Sequence, residues 1–416
     1  MKIALYGNVC NNMYAIAKAL RQHSSFDVHL YLADDVYFNN LPENDDPELK
    51  DNYPAWIHRG KQYRFSSIFS FWKKNLLKEL NKYDLVILSS LPVSLTTLLR
   101  KPKTIFYVTG SDLTVLPFRE IHRTLFYNGK KNGIKPVLFE WIVRRGIRNA
   151  TGIITQPFYP FVNAAKKLKI PAEKFHAAYF TILFNTDLFS YRPDAWQRMD
   201  QHTRKEMERF RFRIFHPSRI IVDNHPHLVE TGQWKQNDLL LKAFALFVNK
   251  HSIKDAAIYL IDREYGKNEV ERLKEIIKEL AIEEFVIWLK PGNKSGFTRD
   301  ELINIYSVCD IITDDYGAGW FGSICIEGFS CSKPVLSYVD EEAMTKIYPW
   351  HPFLSSNTAE GNQELIEKIY FNPEFALQQG QLGRKWAEEF HSFRSIGPIY
   401  VREFEKLITG VKTKNA

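Results

Sequence analysis

Residues 314–335 read DDYGAGWFGSICIEGFSCSKPV. The two aspartates close a β-rich run, DIITDD (310–315). Glycines at 317, 319 and 322 follow, then an apolar stretch with a single acid, Glu327, and Pro334 opens a second β-rich run, PVLSYV. Strand, glycine loop, helix start, strand is the order of a βαβ unit in a parallel sheet. A helix that starts just after such a loop points unpaired N–H groups and a positive dipole end at the loop, and the glycines let a ligand approach the backbone. The stretch therefore reads as an anion cradle whose Trp320–Phe321 pair looks exposed. Glu327, one turn into the helix, could be a solvated helix acid or an acceptor for paired hydroxyls.

The same pattern extends on both sides. FRIFHPSR (212–219), AAIYLID (256–262) and FVIWLK (285–290) read as strands. NDLLLKAFALFVNKH (237–251), NEVERLKEIIKELAI (268–282) and RDELINIYSVC (299–309) read as the helices between them. In the first half KIALYG (2–7), VHLYLA (28–33), DLVILSS (84–90) and TIFYVTG (104–110) are strands, and MYAIAKALRQH (13–23) and FWKKNLLKELNKY (71–83) are helices. The expected fold class is α/β, with two Rossmann-like domains in series. Ligands of such sheets bind beyond the carboxyl ends of the strands, which places the polar turn Gly7–Asn12, Ser89–Leu91 and Thr109–Asp112 on one rim. The chain turns from apolar to Asn, Asp and Pro within TILFNTDLFSYRPDAW (181–196), so the domain boundary is expected there: 1–188, 189–385, and a terminal helical segment 386–416 crossing back to the first domain.

The chain has 416 residues, enough for two cores, with 45% apolar and 25% charged residues, a globular composition rather than a disordered one. No run approaches a membrane span and the amino terminus lacks a signal-peptide core, so a cytoplasmic location is expected. Four cysteines without metal or disulfide spacing read as packed thiols. The net charge of +8 is uneven: residues 100–148 carry 11 Lys+Arg against 3 Asp+Glu. That asymmetry suits lipid headgroups, a pyrophosphate-bearing acceptor, nucleic acid, or simply a soluble basic face. No helix-turn-helix, RNP, zinc or KH signature accompanies it, so no nucleic-acid partner is expected.

Arg219 ends a strand and Lys235 precedes a helix; a guanidinium fork and an ammonium at one sheet edge suit a diphosphate without a metal. In the first half, PFREIHRTLFYNGKKNGIKPVLFEWIVRRGIRN (117–149) interleaves aromatic and basic residues at helical spacing. That suits either an interfacial membrane contact at the inner face of a membrane or a helix face covering the sheet. His122 in this segment reads as a structural or surface residue.

Four segments, in order, resemble the GT-B glycosyltransferases of the retaining family-4 type. FNTDLFSYRP (184–193) is similar to its N-G-V-D-x-x-x-F-x-P linker, and SR followed by KQNDLLLKAF to its R…K-G-x-D-x-L-L-x-A-F segment. GWFGSICIEGFSCSKPV is similar to E-G-F-G-x-x-x-x-E-A-x-A-x-G-x-P-V, and TGSDL (109–113) to H-G-x-D. The resemblance implies two Rossmann-like domains facing across a cleft, with transfer of a sugar from a UDP- or GDP-type donor to a glycan or lipid-linked acceptor in polysaccharide or glycolipid synthesis. It implies retention of configuration and no metal or other cofactor. It also implies that Arg219 and Lys235 hold the donor diphosphate and Glu327 the ribose. Gly319, Trp320, Phe321, Gly322 and Ser323 would then line the donor, with Pro291 in WLKPGNKSGF (288–297) near the base. Asp112 would act on the acceptor side together with Gly7, Asn11, Asn12, Thr109, Gly110 and Ser111. Two positions depart from the pattern: Gly319 stands where the family has its first carboxylate, and Thr109 where it has histidine. Asp314 and Asp315 are the candidates to replace that carboxylate. A catalytically silent GT-B binding module and a nucleotide-sugar epimerase fit the same residues.

Overall fold

The computed structural model describes residues 1–36, 38–50, 52–66, 75–121, 134–176, 182–262, 267–292 and 296–409. The chain divides into two compact units, Met1–Leu183 with Phe393–Ala416, and Phe184–Ser392.

The first unit is built on seven parallel strands: β1 (Lys2–Tyr6), β2 (Asp27–Leu32), β3 (Ile57–Arg59), β4 (Leu85–Leu88), β5 (Lys103–Tyr107), β6 (Gly152–Ile154) and β7 (Phe175–His176), in spatial order 3-2-1-4-5-6-7. Alternation along β1 sends Ile3 and Leu5 to one face and Ala4 and Tyr6 to the other, and both faces are buried. On the first face lie α1 (Asn12–His23) and, from the far end of the chain, the carboxyl-terminal helix Phe393–Thr409, whose Ile396, Tyr400 and Phe404 join the Ile3–Leu5 core. On the second face α2 (Asn75–Leu80) buries Leu76 and Leu80. The remainder of the helix expected over 71–83, residues 71–74, lies outside the described residues, as does His122 with most of the first basic helix. A second helix, α3 (Ile134–Asn149), carries the rest of the basic segment.

The second unit holds five parallel strands, β8 (Phe212–His216), β9 (Ala256–Ile261), β10 (Val286–Leu289), β11 (Ile311–Thr313) and β12 (Val335–Leu336), in order 10-9-8-11-12. Every residue of β9 is buried, the near-continuous apolar run that a sheet covered on both faces requires. The covering helices are α4 (Asp238–His251), α5 (Lys267–Glu279), α6 (Arg299–Val308), α7 (Ser323–Ser330), α8 (Ala359–Phe371) and α9 (Pro373–His391). A complete capping box between Thr298 and Glu301 starts α6. In this sheet the strand order reverses between β8 and β11, which pair directly, Phe215 opposite Ile312. In open α/β sheets the crevice at such a reversal is where ligands bind. The loops leaving β8 and β11 are those that carry Arg219 and the glycine stretch.

Candidate active site

At the end of β8 the chain runs through Pro217 and Ser218 to Arg219, which is exposed and donates from Nη2 to Gln233 Oε1 at 3.1 Å. The loop is shaped from beneath by a pair of side chains that sequence reading did not single out. Asn237 donates from Nδ2 to His216 Nε2 (2.7 Å) and to the Arg219 carbonyl (3.1 Å), and its Oδ1 accepts from Ile221 N at 2.7 Å. With Nε2 accepting, His216 carries its proton on Nδ1, facing Thr313 Oγ1 at 2.7 Å. The only sequence signal for Asn237 was its place before a helix, where Asn is a common cap.

Lys235 lies on the same rim. Its Nζ stands 2.7 Å from Asp315 Oδ2 and 3.6 Å from Asp314 Oδ1. Burial works against its charge, but the two carboxylates outweigh that and lift its pKa above the ordinary lysine range, while Arg219 acts in the opposite sense. Asp314 and Asp315 are both buried. Asp314 takes Ser218 Oγ at 2.7 Å and the Gly322 N–H; against the pull of burial, Lys235 and Ser218 draw its pKa down. Asp315 Oδ1 accepts from Gly317 N (2.8 Å) and Ala318 N (2.9 Å), so this acid forms the turn as well as pairing with lysine. Gly322, which Asp314 holds, is the N-cap of α7, and Ser323 behind it is exposed. Two cations, the start of a helix and a glycine loop therefore meet at the reversal point of the sheet.

Two residues of the opening stretch sit differently from expectation. Trp320 and Phe321 are buried, with rings 5.3 Å apart, and Phe321 packs among Phe353, Trp386 and His391. Aromatic surface of that size is worth several kcal/mol when removed from water, about 25 cal/mol per Å². The pair anchors the loop and offers a ligand backbone rather than rings. Glu327 is 3% exposed: Oε1 accepts from Arg299 Nη1 at 2.7 Å and Oε2 from Tyr306 OH at 2.6 Å. Reaching a ribose would cost it one of these bonds. Gly319 has φ +70°, and a Cβ there would stand 3.2 Å from the Tyr338 ring and 3.4 Å from Asp340 Cβ. The backbone is shaped for glycine, so this position is more than a truncated glutamate. Pro291 is half-buried just past β10, and residues 293–295 of the expected base pocket lie outside the described residues.

In the first unit the rim residues are mostly committed to their own loops. Gly7 has φ +96°, and a Cβ would fall 2.3 Å from the Ser89 carbonyl oxygen, so β1 and β4 can approach only with glycine here. Asn11 is buried and donates to the Leu41 carbonyl at 2.8 Å, while Asn12, half-buried, opens α1. Asp112, expected as a catalytic group, is a buried staple. Its carboxylate accepts from Thr109 N (3.0 Å), Thr109 Oγ1 (2.9 Å), Gly110 N (3.0 Å) and Ser90 N (3.0 Å). Burial raises its pKa despite these donors. The ends of β4 and β5 are thereby tied, leaving Thr109, Gly110 and Ser111 half-buried at the rim.

No protein-family model matches the chain, and no curated protein matches it in sequence. Solved structures do. Anabaena HepE in complex with UDP-glucose superposes with a TM-score of 0.65 at 14% identity, covering 98% of this chain and 100% of that one. Sucrose-phosphate synthase from Thermosynechococcus elongatus gives 0.61 at 13% identity (99% and 100% covered). A glycosyltransferase from Rickettsia africae gives 0.61 at 15% identity (100% and 99% covered). At such identities the likeness establishes architecture, and the chain shares with these proteins the GT-B fold of two Rossmann-like domains.

Proposed function

We propose that the protein is a glycosyltransferase that moves a sugar, with retention, from a nucleoside-diphosphate donor to a glycan or lipid-linked acceptor. The observation that carries this reading is the convergence of Arg219, Lys235 and the N-cap of α7 at the strand-order reversal of the second sheet. Fixed cations and helix N–H groups stabilise charge that grows on a leaving diphosphate without reorganising. The bond from the anomeric carbon to the β-phosphate oxygen breaks, the acceptor oxygen bonds to that carbon, and its proton passes to the departing phosphate. In this reading Arg219 and Lys235 bind the diphosphate, the backbone of Gly319–Ser323 faces the sugar, and Asp112 and Glu327 position the loops. No metal is required.

A lipid-linked acceptor is favoured by α3. Val143 and Ile147 are buried, and Thr96 Oγ1 donates to the Gly146 carbonyl at 2.6 Å. The opposite face leaves Val137, Leu138 and Trp141 at 44, 53 and 54% exposure, with Arg145 over the Trp141 ring at 5.2 Å. Apolar and aromatic groups followed by arginine on one helix face suit an anionic bilayer interface. Among the described residues no helix is long and apolar enough to cross a membrane.

A panel of UDP- and GDP-sugars read by thermal shift, followed by mass spectrometry with polyprenyl and glycan acceptors, tests the function. Stabilisation by a nucleoside diphosphate that is lost in Arg219→Ala is expected. No stabilisation by any donor would overturn the reading, and isomerisation of the donor alone would assign an epimerase instead.

A further inference from the structure

The phosphate site is electrically cancelled. Around Lys235 and Arg219 lie the buried carboxylates of Asp314 and Asp315, two positive charges against two negative. A diphosphate arriving there competes with two buried carboxylates for the Lys235 ammonium. One acid must yield. Asp314 is tied to Ser218 and to the α7 N-cap and is held ionised. Asp315 differs: burial pushes its carboxyl up, and the adjacent Asp314 adds to this against the pull of Lys235. Its two oxygens also have separate duties, Oδ2 on Lys235 and Oδ1 on the N–H groups of Gly317 and Ala318. The titratable groups acting on this acid pair are Lys235, with Arg219 beyond it, and His216, Tyr316 and Cys325 around Asp314.

Resting on the nucleotide-sugar reading above, we propose that Asp315 is a positioning residue that gates the phosphate site. The diphosphate takes Lys235 Nζ away from Oδ2, Asp315 accepts a proton there from solvent, and Oδ1 keeps the glycine loop in place throughout. Donor binding is therefore coupled to proton uptake, and in the empty site Asp315 stores the lysine in its binding position. The opening sequence pair Asp314–Asp315 thus divides its work between a permanent charge and a yielding one.

Asp315→Asn separates this role from a merely structural one. The amide oxygen still accepts from Gly317 and Ala318, while its NH2 cannot hold an ammonium, so Lys235 is released to the ligand. Calorimetric titration with UDP and GDP at pH 7.5, in two buffers of different ionisation enthalpy, reads affinity and proton uptake together. At that pH the phosphates are already ionised, since their last pKa is about 6. The wild type should take up on the order of one proton per site. Asp315→Asn should take up none and bind about ten-fold tighter, one pKa unit's worth of coupling. Binding without proton uptake by the wild type, or weaker binding by a folded Asp315→Asn, overturns the proposal and leaves the reading intact. The wild-type measurement decides the matter if the variant does not fold. Absence of nucleotide binding in every protein overturns both.

Discussion

Arg299, the first residue of α6, donates from Nη1 to Oε1 of Glu327, in the middle of α7, at 2.7 Å. Its guanidinium also lies 5.4 Å from the Phe189 ring. The pair, completed by Tyr306, fastens the helix that begins at the glycine loop to the helix before it. Glu327→Ala leaves the buried Tyr306 hydroxyl without its acceptor and takes from Arg299 its carboxylate. Removing one member of such a pair costs about 3 kcal/mol or more. The expected outcome is a clearly lower midpoint in thermal unfolding followed by circular dichroism, whether or not nucleotide is present.

Arg219→Ala behaves oppositely. The side chain is exposed and its one described bond is to Gln233, so stability should stay within about 0.5 kcal/mol of wild type. In the proposed reading Arg219 faces the charge that develops on the leaving diphosphate, and loss of such a donor lowers turnover about a hundred-fold or more. Steady-state assays with a responsive donor, beside an unchanged melting curve, check this.

Placing an acid at position 319 should not create the site of the family that the sequence resembles. In Gly319→Glu the side chain must enter at φ +70° against the Tyr338 ring. A left-handed non-glycine residue costs about 1 kcal/mol before any crowding is counted. A lower melting point and reduced transfer are expected; a gain in transfer would refute this account of the loop.

The exposed face of α3 predicts a phenotype restricted to membranes. Leu138→Glu with Trp141→Glu removes apolar anchors and adds repulsion from anionic lipid. Flotation with vesicles containing phosphatidylglycerol should fall at least several-fold relative to wild type, with nucleotide-induced thermal shift unchanged. Wild-type flotation should itself weaken as salt rises, because the charge attraction is screened.

Chelation supplies a further check. In the proposed reading Arg219, Lys235 and the start of α7 bind the diphosphate without a metal, so transfer after treatment with EDTA and gel filtration should equal that before. Neither does lysine titration enter the neutral range. The raised Lys235 pKa means its contribution to stability is complete below the unfolded lysine value and is lost only as alkaline pH passes the folded one. Activity changes between pH 6 and 8 therefore belong to other groups.

Much of the architecture was legible in the chain. β9 and Ile3–Tyr6 of β1 are continuous apolar runs, α4 repeats buried apolar residues at helical spacing in Leu240, Phe244 and Phe247, and the glycine stretch at 317–322 announces a strand-to-helix turn. These are local signals, set by side-chain period and backbone freedom, and local physics suffices to read them.

Which polar side chains would face a ligand was decided only by the tertiary structure. Glu327 reads in sequence as a solvated acid or a hydroxyl acceptor and Asp112, by resemblance, as an acceptor-side group, yet each is buried among donors from segments distant in sequence or across a turn. Trp320 and Phe321 looked exposed because glycines surround them, and their burial depends on Phe353, Trp386 and His391, contributed by residues far along the chain. Lys235 announced its charge in the sequence, but the acids that neutralise it lie in the loop leaving β11, brought beside β8 by a crossover. Secondary structure is written in near neighbours. The charge and exposure of a site are sums over everything the fold brings within a few ångströms, and no window of sequence contains that sum.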